Sequence, residues 1–356
     1  MIDRLRVGVV GGGIGQQHIH AFQSLPAYFE VVAICDLDQG KGGEVADAYQ
    51  IPYVTPDFAL LCGMAEVDVI DICTPSYLHA QQIESALAAG KHVICEKPVA
   101  GSLKEVDDLI RVQTQAGKQV MPIFQYRFGH GVQKLKFLID QGLTGRAFVT
   151  TVETAWRRRA GYYAVPWRGR WATELGGALV TLAVHAHDVL NYILGPARSV
   201  FARTATLVNS IETEDCVVAS LEMVDGSLAS LTVTTGSAVE ISRHRFCFSQ
   251  LTAESNLAPY NNTADPWTFT GDDRDVNQKI EETLARFEPM PERFAGQFLR
   301  FYHALRTRTG LPVTLADARI SLELITAIYS SAQTGQIVTL PLTEDHPAYA
   351  DWRPFS

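Results

Sequence analysis

A lysine next to an acidic residue follows one of the apolar runs of the chain. The run HVIC is succeeded directly by Glu96, Lys97 and Pro98. If the run is a parallel strand, its carboxyl end faces the crevice where ligands bind, and a lysine there can stabilise the oxygen of a reacting alcohol. Pro98 restricts Lys97 to an extended backbone. Taken alone, the pattern favours an ion-paired surface lysine over a catalytic one.

A glycine-rich turn, VGVVGGGIG, lies between an apolar run and an amphipathic stretch. Gly11, Gly13 and Gly15 would let the backbone turn tightly and approach a pyrophosphate, and a following helix would supply N–H groups at its positive end. The spacing is one residue shorter than the usual GxGxxG, and Gln16 stands where the third glycine would be. The turn is therefore a weak signal that depends on its context.

Asp36 supplies that context, because it ends the second apolar run, 25 residues after Gly11. A carboxylate there accepts hydrogen bonds from the ribose hydroxyls of a dinucleotide and repels a 2′-phosphate. The sequence thus predicts NAD as the cofactor, with NADP as the alternative because Lys41 is close. A glycine turn without any ligand is the other interpretation.

A third candidate is His185, in an apolar stretch over 174–194 that has helical spacing. Thr181, His185 and Asp188 are spaced i, i+4 and i+7, so a continuous helix would place them on one face. A neutral imidazole can take the proton of an alcohol near pH 7. A histidine in an apolar helix is more often structural. His187 adds no metal pair, because residues i and i+2 diverge on a helix, so no metal site is predicted.

The segment 154–171 interleaves five arginines with three tryptophans and two tyrosines. Aromatic faces stack on the CH surfaces of sugars, and arginines bind hydroxyls, carboxylates or phosphates. The segment precedes the stretch that contains His185, so it could line a pocket for a polyhydroxylated substrate such as an acidic or nucleotide-linked sugar. For Arg157, Arg158 and Arg159, a solvated surface loop is an equally good interpretation.

Apolar runs alternate with helical stretches up to residue 124, which predicts a parallel sheet with right-handed crossovers. Beyond it, runs of alternating polar and apolar residues dominate, and Asp225-Gly226 between two of them indicates a hairpin. The predicted fold is α/β, with a Rossmann domain over 1–124 and an α+β domain over 125–356 that has an open, mostly antiparallel sheet. One face of that sheet is left for solvent or a partner, so a homodimer or homotetramer through it is predicted.

The 356 residues carry a formal net charge of -9 at pH 7, with 47% hydrophobic and 19% charged residues. The composition is that of an ordinary globular protein, and the negative net charge argues against a nucleic-acid or membrane-surface partner, which would need a positive surface. The six cysteines form no CxxC pair, and the first residues run straight into an apolar strand without a signal peptide. No apolar run approaches the ~20 residues of a membrane span. The expected location is the cytoplasm.

Four features together resemble the Gfo/Idh/MocA family of glucose–fructose and inositol oxidoreductases: VGVVGGGIGQQHI, Asp36, DICTPSYLHAQQIESALAAGKHVICEKP and GGALVTLAVHAHDVLNYILG. They follow the family's order and spacing over nearly the whole chain. The resemblance implies a Rossmann domain followed by an α/β domain whose open sheet often forms the oligomer interface. It implies NAD or NADP as cofactor, and hydride transfer to or from a hydroxyl of a sugar, a sugar derivative or a cyclitol.

The resemblance also implies roles for individual residues. Lys97 matches the lysine that contacts the reacting oxygen and the nicotinamide ribose, Glu96 matches the residue that positions it, and the peptide bond before Pro98 is expected to be cis. His185 matches a histidine often used as general base. Many inositol dehydrogenases have an aspartate four residues earlier. Here that position is Thr181, whose hydroxyl can bind a substrate but cannot raise the pKa of a histidine as a charge would.

The residues predicted for the two binding sites come from several segments, and the resemblance alone implies the contacts of Thr74, Pro75, His79, Tyr126, Arg127, Trp167 and Arg168. Those predicted to contact the cofactor are Gly11, Gly13, Ile14, Gly15, Asp36, Thr74, Pro75, His79, Glu96, Lys97, Trp167 and Arg168. Those predicted to contact the substrate are Lys97, Tyr126, Arg127, Tyr163, Thr181 and His185. The predicted catalytic set is Lys97, His185 and Thr181.

Three functions are compatible with these predictions. The first, and the favoured one, is a sugar or cyclitol dehydrogenase. The second is an NAD-dependent glycoside hydrolase, which would oxidise the sugar, eliminate the aglycone and reduce the sugar again without net NADH. The third is a dinucleotide-binding sensor without chemistry, which the intact Glu96-Lys97-Pro98 disfavours.

Overall fold

The computed structural model describes residues 4–353 of the chain. Residues 1–3 and 354–356, at the ends of the two predicted domains, lie outside this range. The prediction that the chain has no signal peptide rests in part on residues 1–3. Two compact units divide the described chain. The first holds the residues up to Phe124 together with Phe294–Arg319, and the second holds Gln125–Arg293 together with the residues from Ile320 onward.

A parallel sheet of six strands lies at the centre of the first unit. Its strands are Leu5–Val10 (β1), Phe29–Cys35 (β2), Tyr53–Thr55 (β3), Val69–Ile72 (β4), His92–Cys95 (β5) and Val120–Pro122 (β6). The helices between them are Gly15–Gln23 (α1), Gln39–Tyr49 (α2), Phe58–Gly63 (α3), His79–Ala88 (α4) and Leu103–Ala116 (α5). The strand order β3-β2-β1-β4-β5-β6 reverses between β1 and β4. Ligands of open α/β sheets bind at the carboxyl ends of the strands at such a reversal.

Local signals explain several of these elements. The strands are apolar along almost their whole length because helices cover both faces of a parallel sheet, although Asp71 in β4 is a fully buried carboxylate. At the start of α5, the hydroxyl of Ser102 accepts a hydrogen bond from the N–H of Glu105, and the helix ends at Gly117 with a φ of 63°. Such caps satisfy groups that the helix itself leaves unpaired.

A second sheet, of eight strands, belongs to the second unit. Its strands are Ala147–Arg157 (β7), Ala197–Ala205 (β8), Cys216–Met223 (β9), Leu228–Thr234 (β10), Gly236–Phe248 (β11), Leu251–Glu254 (β12), Thr268–Gly271 (β13) and Val338–Thr339 (β14). They lie in the order β13-β12-β11-β7-β10-β9-β8-β14. Among the described residues, β7 and β10 pair in parallel and the other neighbours pair antiparallel. The predicted fold class is confirmed.

Alternating burial leaves one face of this sheet open. In β9 every second side chain is buried, and residues between them, such as Val218, are exposed. Val218 lies opposite Thr232 of β10 and Arg203 of β8. Asp225-Gly226 forms the predicted turn between β9 and β10, and Gly226 has a φ of +84°, a conformation that favours glycine.

The remaining helices are His130–Asp140 (α6), Trp171–Glu174 (α7), Ala178–Thr181 (α8), Val184–Leu194 (α9), Arg274–Leu284 (α10), Arg293–Thr307 (α11) and Leu315–Thr334 (α12). The prediction of one helix over 174–194 is wrong, because this stretch contains α8, α9 and the end of α7. The backbone of Gly177 leaves the helical region, with φ −98° and ψ −135°. A Cβ on Gly177 would lie 1.8 Å from the carbonyl oxygen of Glu214, so a tertiary contact breaks the helical spacing here.

The chain bends by 53° between Trp171–Thr181 and Val184–Leu194. Thr181 and His185 therefore belong to different helices and do not share the single helix face predicted from their spacing. Within residues 4–353, no single helix is long and apolar enough to cross a membrane. The two parts of this bent pair reach the required length and composition only when they are taken together.

Residues 293–307 carry no helix prediction from the sequence, yet they form α11. From Phe294 onward the helix belongs to the first unit, although the predicted boundary at residue 124 assigned it to the second domain. The rings of Phe22 and Phe298 stack with centroids 4.1 Å apart, and those of Phe29 and Tyr302 meet at 5.9 Å. Aromatic burial of this kind joins a late part of the chain to the first sheet.

Candidate active site

The glycine-rich turn joins β1 to α1 at the reversal in strand order. Gly11 has a φ of +97°, and a Cβ built on it would lie 2.7 Å from the carbonyl oxygen of Cys73. At Gly15 a Cβ would lie 3.0 Å from Cγ1 of Val9, so α1 packs closely on β1. A Cβ on Gly13 would meet no atom of the described residues within 4 Å. Gly11 and Gly15 thus pack against the protein, whereas the position of Gly13 is unobstructed, and this arrangement suits the approach of a pyrophosphate.

Helix α1 begins without a side-chain cap. Ile14 is its N-cap residue and makes no capping hydrogen bond. Serine, threonine, aspartate or asparagine usually occupies this position. The N–H groups of Gln16 and Gln17 bond instead to the carbonyl oxygens of Gly13 (3.3 Å) and Ile14 (2.9 Å), and the positive end of the helix favours an anion such as a phosphate.

The carboxylate of Asp36 reaches the same turn. Its Oδ2 accepts a hydrogen bond from the N–H of Gly12 (2.8 Å), and its Oδ1 accepts one from the N–H of Asp38 (3.0 Å). The ammonium of Lys41 lies 3.6 Å from Oδ2. These contacts fix the carboxylate beside the turn, where the ribose hydroxyls of a dinucleotide would reach it. The residues present therefore fit a dinucleotide.

The segment after β4 is held from behind by His79. One ring nitrogen of His79 lies 2.7 Å from the carbonyl oxygen of Pro98, and the other lies 2.8 Å from that of Thr74. His79 is buried, so it joins two backbone segments, whereas the sequence prediction placed it on the cofactor surface. The hydroxyl of Thr74 donates to Oε1 of Gln82 (2.6 Å). Thr74 and Pro75 are partly exposed, as cofactor contacts would be.

Lys97 directly follows β5 at the carboxyl edge of the sheet. It is partly exposed, and its backbone N–H donates to Oε2 of Glu96 (3.1 Å). The Lys97–Pro98 peptide bond is cis, as the family resemblance implied. Glu96 is buried, so it supports the lysine from inside the unit, whereas the sequence prediction counted it among the cofactor contacts.

A cavity of about 650 Å³ lies at the other edge of the parallel sheet, where the strands begin. Its lining includes the ion pairs Arg4–Glu30 and Arg6–Asp68, in which each charge is matched. Ligands of open α/β sheets bind at the carboxyl ends of the strands. This cavity is therefore not the cofactor site.

In the second unit, His185 lies in the first turn of α9 and its ring is stacked on that of Tyr126. The ring centroids are 4.7 Å apart and the planes differ by 20°. Both residues are buried, and burial raises the pKa of the Tyr126 hydroxyl well above its ordinary value. Tyr126, predicted as a substrate contact, thus serves in this structure to fix the plane of the imidazole.

The neighbouring Arg127 forms a buried ion pair with Asp188 of α9. Its Nε donates to Oδ2 (2.8 Å) and its Nη2 donates to Oδ1 (2.6 Å). The guanidinium also lies over the ring of Tyr192, 5.0 Å from its centroid. The sequence predicted a substrate-facing arginine, but the bidentate pair makes Arg127 an anchor of α9. Removing one partner of such a buried pair costs about 3–5 kcal/mol of stability.

A buried carboxylate, that of Glu214, positions α8 and the Thr181 at its end. Glu214 accepts hydrogen bonds from the N–H groups of Gly177 and Leu179 and from the hydroxyl of Tyr329, each at 2.9 Å. The hydroxyl of Thr181 donates to the carbonyl oxygen of Gly177 (2.8 Å). Burial raises the pKa of Glu214 to about 7. No sequence motif marks Glu214, because its partners are far away along the chain.

Arg168 stands among aromatic rings in the predicted substrate segment. Its guanidinium carbon is 3.9 Å from the ring centroid of Tyr162 and 4.5 Å from that of Trp167. Its Nη1 lies 3.8 Å from Oε1 of Glu174, and Tyr163 meets Tyr162 edge-on at 5.0 Å. The contacts predicted for Trp167, Arg168 and Tyr163 with cofactor or substrate stay predictions. These residues form one cluster of cations and rings.

The topology of the first unit and its glycine turn, with Asp36 beside it, define a dinucleotide-binding Rossmann domain. The chain belongs to the Gfo/Idh/MocA oxidoreductases. Residues 5–124 match the model of the oxidoreductase family with the NAD-binding Rossmann fold, and residues 132–250 match the model of the family's C-terminal domain. The cofactor is therefore NAD.

Similar proteins span almost the whole chain. The uncharacterized oxidoreductase YrbE of Bacillus subtilis is 26% identical over 352 residues, which cover 97% of this chain and 99% of that protein. The D-glucoside 3-dehydrogenase of Escherichia coli is 27% identical over 365 residues, covering 94% and 97%. The crystal structure of the WlbA dehydrogenase from Bordetella pertussis in complex with NADH and UDP-GlcNAcA has a TM-score of 0.85 and 28% identity, covering 96% of this chain and 100% of that one.

Proposed function

We propose that the protein is an NAD-dependent dehydrogenase that transfers a hydride between the nicotinamide and a hydroxyl-bearing carbon of a sugar, a sugar derivative or a cyclitol. The observation that carries the proposal is Lys97, which stands at the carboxyl edge of an NAD-binding sheet with its backbone held by Glu96. The names of the relatives support a carbohydrate substrate, since one acts on a D-glucoside and another binds UDP-GlcNAcA together with NADH.

Oxidation of an alcohol removes a hydride from carbon and a proton from oxygen. When bound, NAD supplies the hydride acceptor. The ammonium of Lys97 stabilises the substrate oxygen as negative charge develops on it, and the imidazole of His185 accepts the proton. The stack on Tyr126 holds that ring in one plane. The hydroxyl of Thr181 donates to Gly177 and can accept a hydrogen bond from a further substrate hydroxyl.

The cluster around Arg168 supports a substrate that has both CH surfaces and polar groups. The rings of Tyr162 and Trp167 offer apolar faces, and the guanidinium offers several hydrogen-bond donors. An acidic or nucleotide-linked sugar would use both kinds of contact. The preferred substrate within the proposed class is therefore a polyhydroxylated ring that carries a carboxylate or a diphosphate.

A substrate panel with NAD tests the proposed function. It contains inositols, aldoses, uronates, anhydrosugars and UDP-linked sugars, and NADH is followed by absorbance at several pH values. Steady NADH formation with one of these classes is the expected result. Release of aglycone from a glycoside without net NADH would identify an oxidation–elimination hydrolase instead. Binding of NADH without turnover of any member would contradict the proposal.

Asp36→Asn is expected to change the cofactor preference. The variant keeps an acceptor for the N–H of Gly12 but removes the charge that would repel a 2′-phosphate, while Lys41 remains nearby. The ratio of kcat/KM with NADP to that with NAD should rise about tenfold or more, which corresponds to about 1.4 kcal/mol. Glu44→Ala, an exposed acid in α2, is the control. An unchanged ratio would show that Asp36 does not select the cofactor.

The open face of the eight-stranded sheet is proposed to join copies of this chain in a homodimer or homotetramer. Val218 on this face is 61% exposed, and Val218→Glu would place a charge against the partner. We expect the variant to shift the native mass measured by light scattering to that of a 39.1 kDa monomer. Leu60→Glu, on the exposed side of α3, should leave the mass unchanged. A native protein that is monomeric would contradict the proposal.

The cytoplasm is the proposed compartment. All six cysteines are free, and four of them are buried. Proteins of oxidising compartments commonly use cysteines in disulfides, so free thiols favour a reducing environment.

A further inference from the structure

A buried histidine, His18, has no role in the chemistry proposed above. It lies in α1 with 0% of its side chain exposed. Its Nδ1 is 3.0 Å from Oδ2 of Asp71 in β4, and its Nε2 is 3.1 Å from Oε1 of Glu96. The Sγ of Cys73 lies 3.4 Å from Nδ1. The histidine thus joins two buried carboxylates.

The surroundings of His18 exclude water. From α11, the uncharged rings of Phe294 and Phe298 lie 4.4 and 5.4 Å from the imidazole, centroid to centroid. Within the described residues, the titratable groups that face the ring from the other elements are Asp71, Cys73 and Glu96. Charges in such a dry site interact strongly and are costly when unpaired.

With both carboxylates ionised, the geometry favours a doubly protonated ring. Ionised carboxylates only accept hydrogen bonds, so an imidazole that faces a carboxylate at each nitrogen satisfies both contacts only when both nitrogens carry a proton. Although burial lowers it, the pKa of His18 is raised well above its ordinary value by Asp71 and Cys73. With His18 protonated, the group of Asp71, His18 and Glu96 has one net negative charge. With a neutral His18 it would have two.

We propose that His18 is held as an imidazolium and is a positioning residue for Lys97. The imidazolium orients Glu96 through Oε1, and Glu96 holds the backbone N–H of Lys97 through Oε2. A core strand thereby fixes the lysine through Asp71, His18 and Glu96. The inference adds a positioning residue to the proposed function. It rests on that function only in the experiments that measure turnover.

The state of the ring is tested in the full-length protein without substrate. Nitrogen-15 NMR of the histidine side chains, with His18 assigned through His18→Gln, is expected to show both ring nitrogens protonated from about pH 6 to about pH 9. A His18 ring that titrates near the ordinary pKa of about 6.5 would overturn the proposal, whatever the activity of the enzyme.

Asp71→Asn tests the positioning role. The variant keeps the shape of the site but removes one carboxylate, so His18 loses its proton at a lower pH than in the native protein. The ratio of variant to native kcat should then fall as the pH rises from about 6 to about 8. Over the same range the amide of Lys97 should exchange its hydrogen about tenfold faster than in the native protein at equal pH. The Kd for NADH should not change.

Cys62→Ala controls for packing, because it removes a buried neutral side chain elsewhere in the unit and should leave both readouts as in the native protein. A loss of thermal stability in Asp71→Asn without a pH-dependent change in kcat or in exchange of the Lys97 amide would mean a merely structural role, and would overturn the proposal. If the panel yields no substrate, the proposed function fails, while the ring state and the amide exchange still decide this inference.

Discussion

Lys97→Met is expected to lower kcat/KM for the best substrate of the panel by about 10³-fold, because loss of one preorganised donor at a developing oxyanion costs about 10²–10³ in rate. Methionine replaces the aliphatic stem of the lysine but has no ammonium. Since the ammonium acts on the reacting oxygen, most of the decrease in kcat/KM should come from a lower kcat. The Kd for NADH, measured by fluorescence titration, should change far less.

Lys104→Met is the matched control for this prediction. Lys104 is exposed on α5 and pairs with Asp108 at 2.7 Å, and such surface pairs contribute only about 0–1 kcal/mol. The control should therefore keep native turnover and stability. If Lys97→Met turned over as fast as the control, Lys97 would not act on the reacting oxygen, and the proposed chemistry would need another donor.

His185→Asn is expected to lower kcat for alcohol oxidation by about 10²-fold or more, within the range of about 10²–10⁴ that general bases contribute. A histidine acts as a base only when it is neutral. The pH dependence of kcat in His185→Asn should therefore differ from that of the native enzyme. Added imidazole should restore part of the turnover, because a small free base can replace the missing ring.

His303→Asn serves as the control, since His303 is exposed on α11 and has no role in the proposed chemistry. It should retain both the native kcat and the native pH profile. A pH profile that stays native in His185→Asn would assign the proton transfer to another group, with Lys97 as the first candidate, and would leave His185 as a structural residue stacked on Tyr126.

The cofactor site could be predicted from the sequence because its signals are local. Gly11 needs a positive φ within a turn of a few residues, and Asp36 is recognised by its place at the end of an apolar run. The alternation of apolar runs with helical stretches likewise predicts the parallel sheet. Lys97 is different, because its place after a strand favoured a surface lysine and only the family resemblance implied a catalytic role.

The rest of the site depends on contacts between residues far apart along the chain. The spacing over 174–194 predicted one helix, but the backbone of Gly177 packs against Glu214 and interrupts it. The family resemblance implied a substrate-facing Arg127, but the fold pairs it with Asp188, 61 residues away along the chain. Tertiary contacts of this kind override local propensity and leave no periodic pattern to read.

The position of α11 affects how the chain folds during synthesis and where it can be cut into fragments. Chains fold as they emerge from the ribosome, N-terminal parts first, so Phe22, which also packs on Phe29, and the buried ring of His18 receive their contacts with Phe298 and Phe294 only when α11 has been synthesised. A fragment that stops at residue 124 would leave that surface open to solvent and to aggregation. We therefore expect fragment expression or domain exchange of the NAD-binding unit to succeed better when α11 is included.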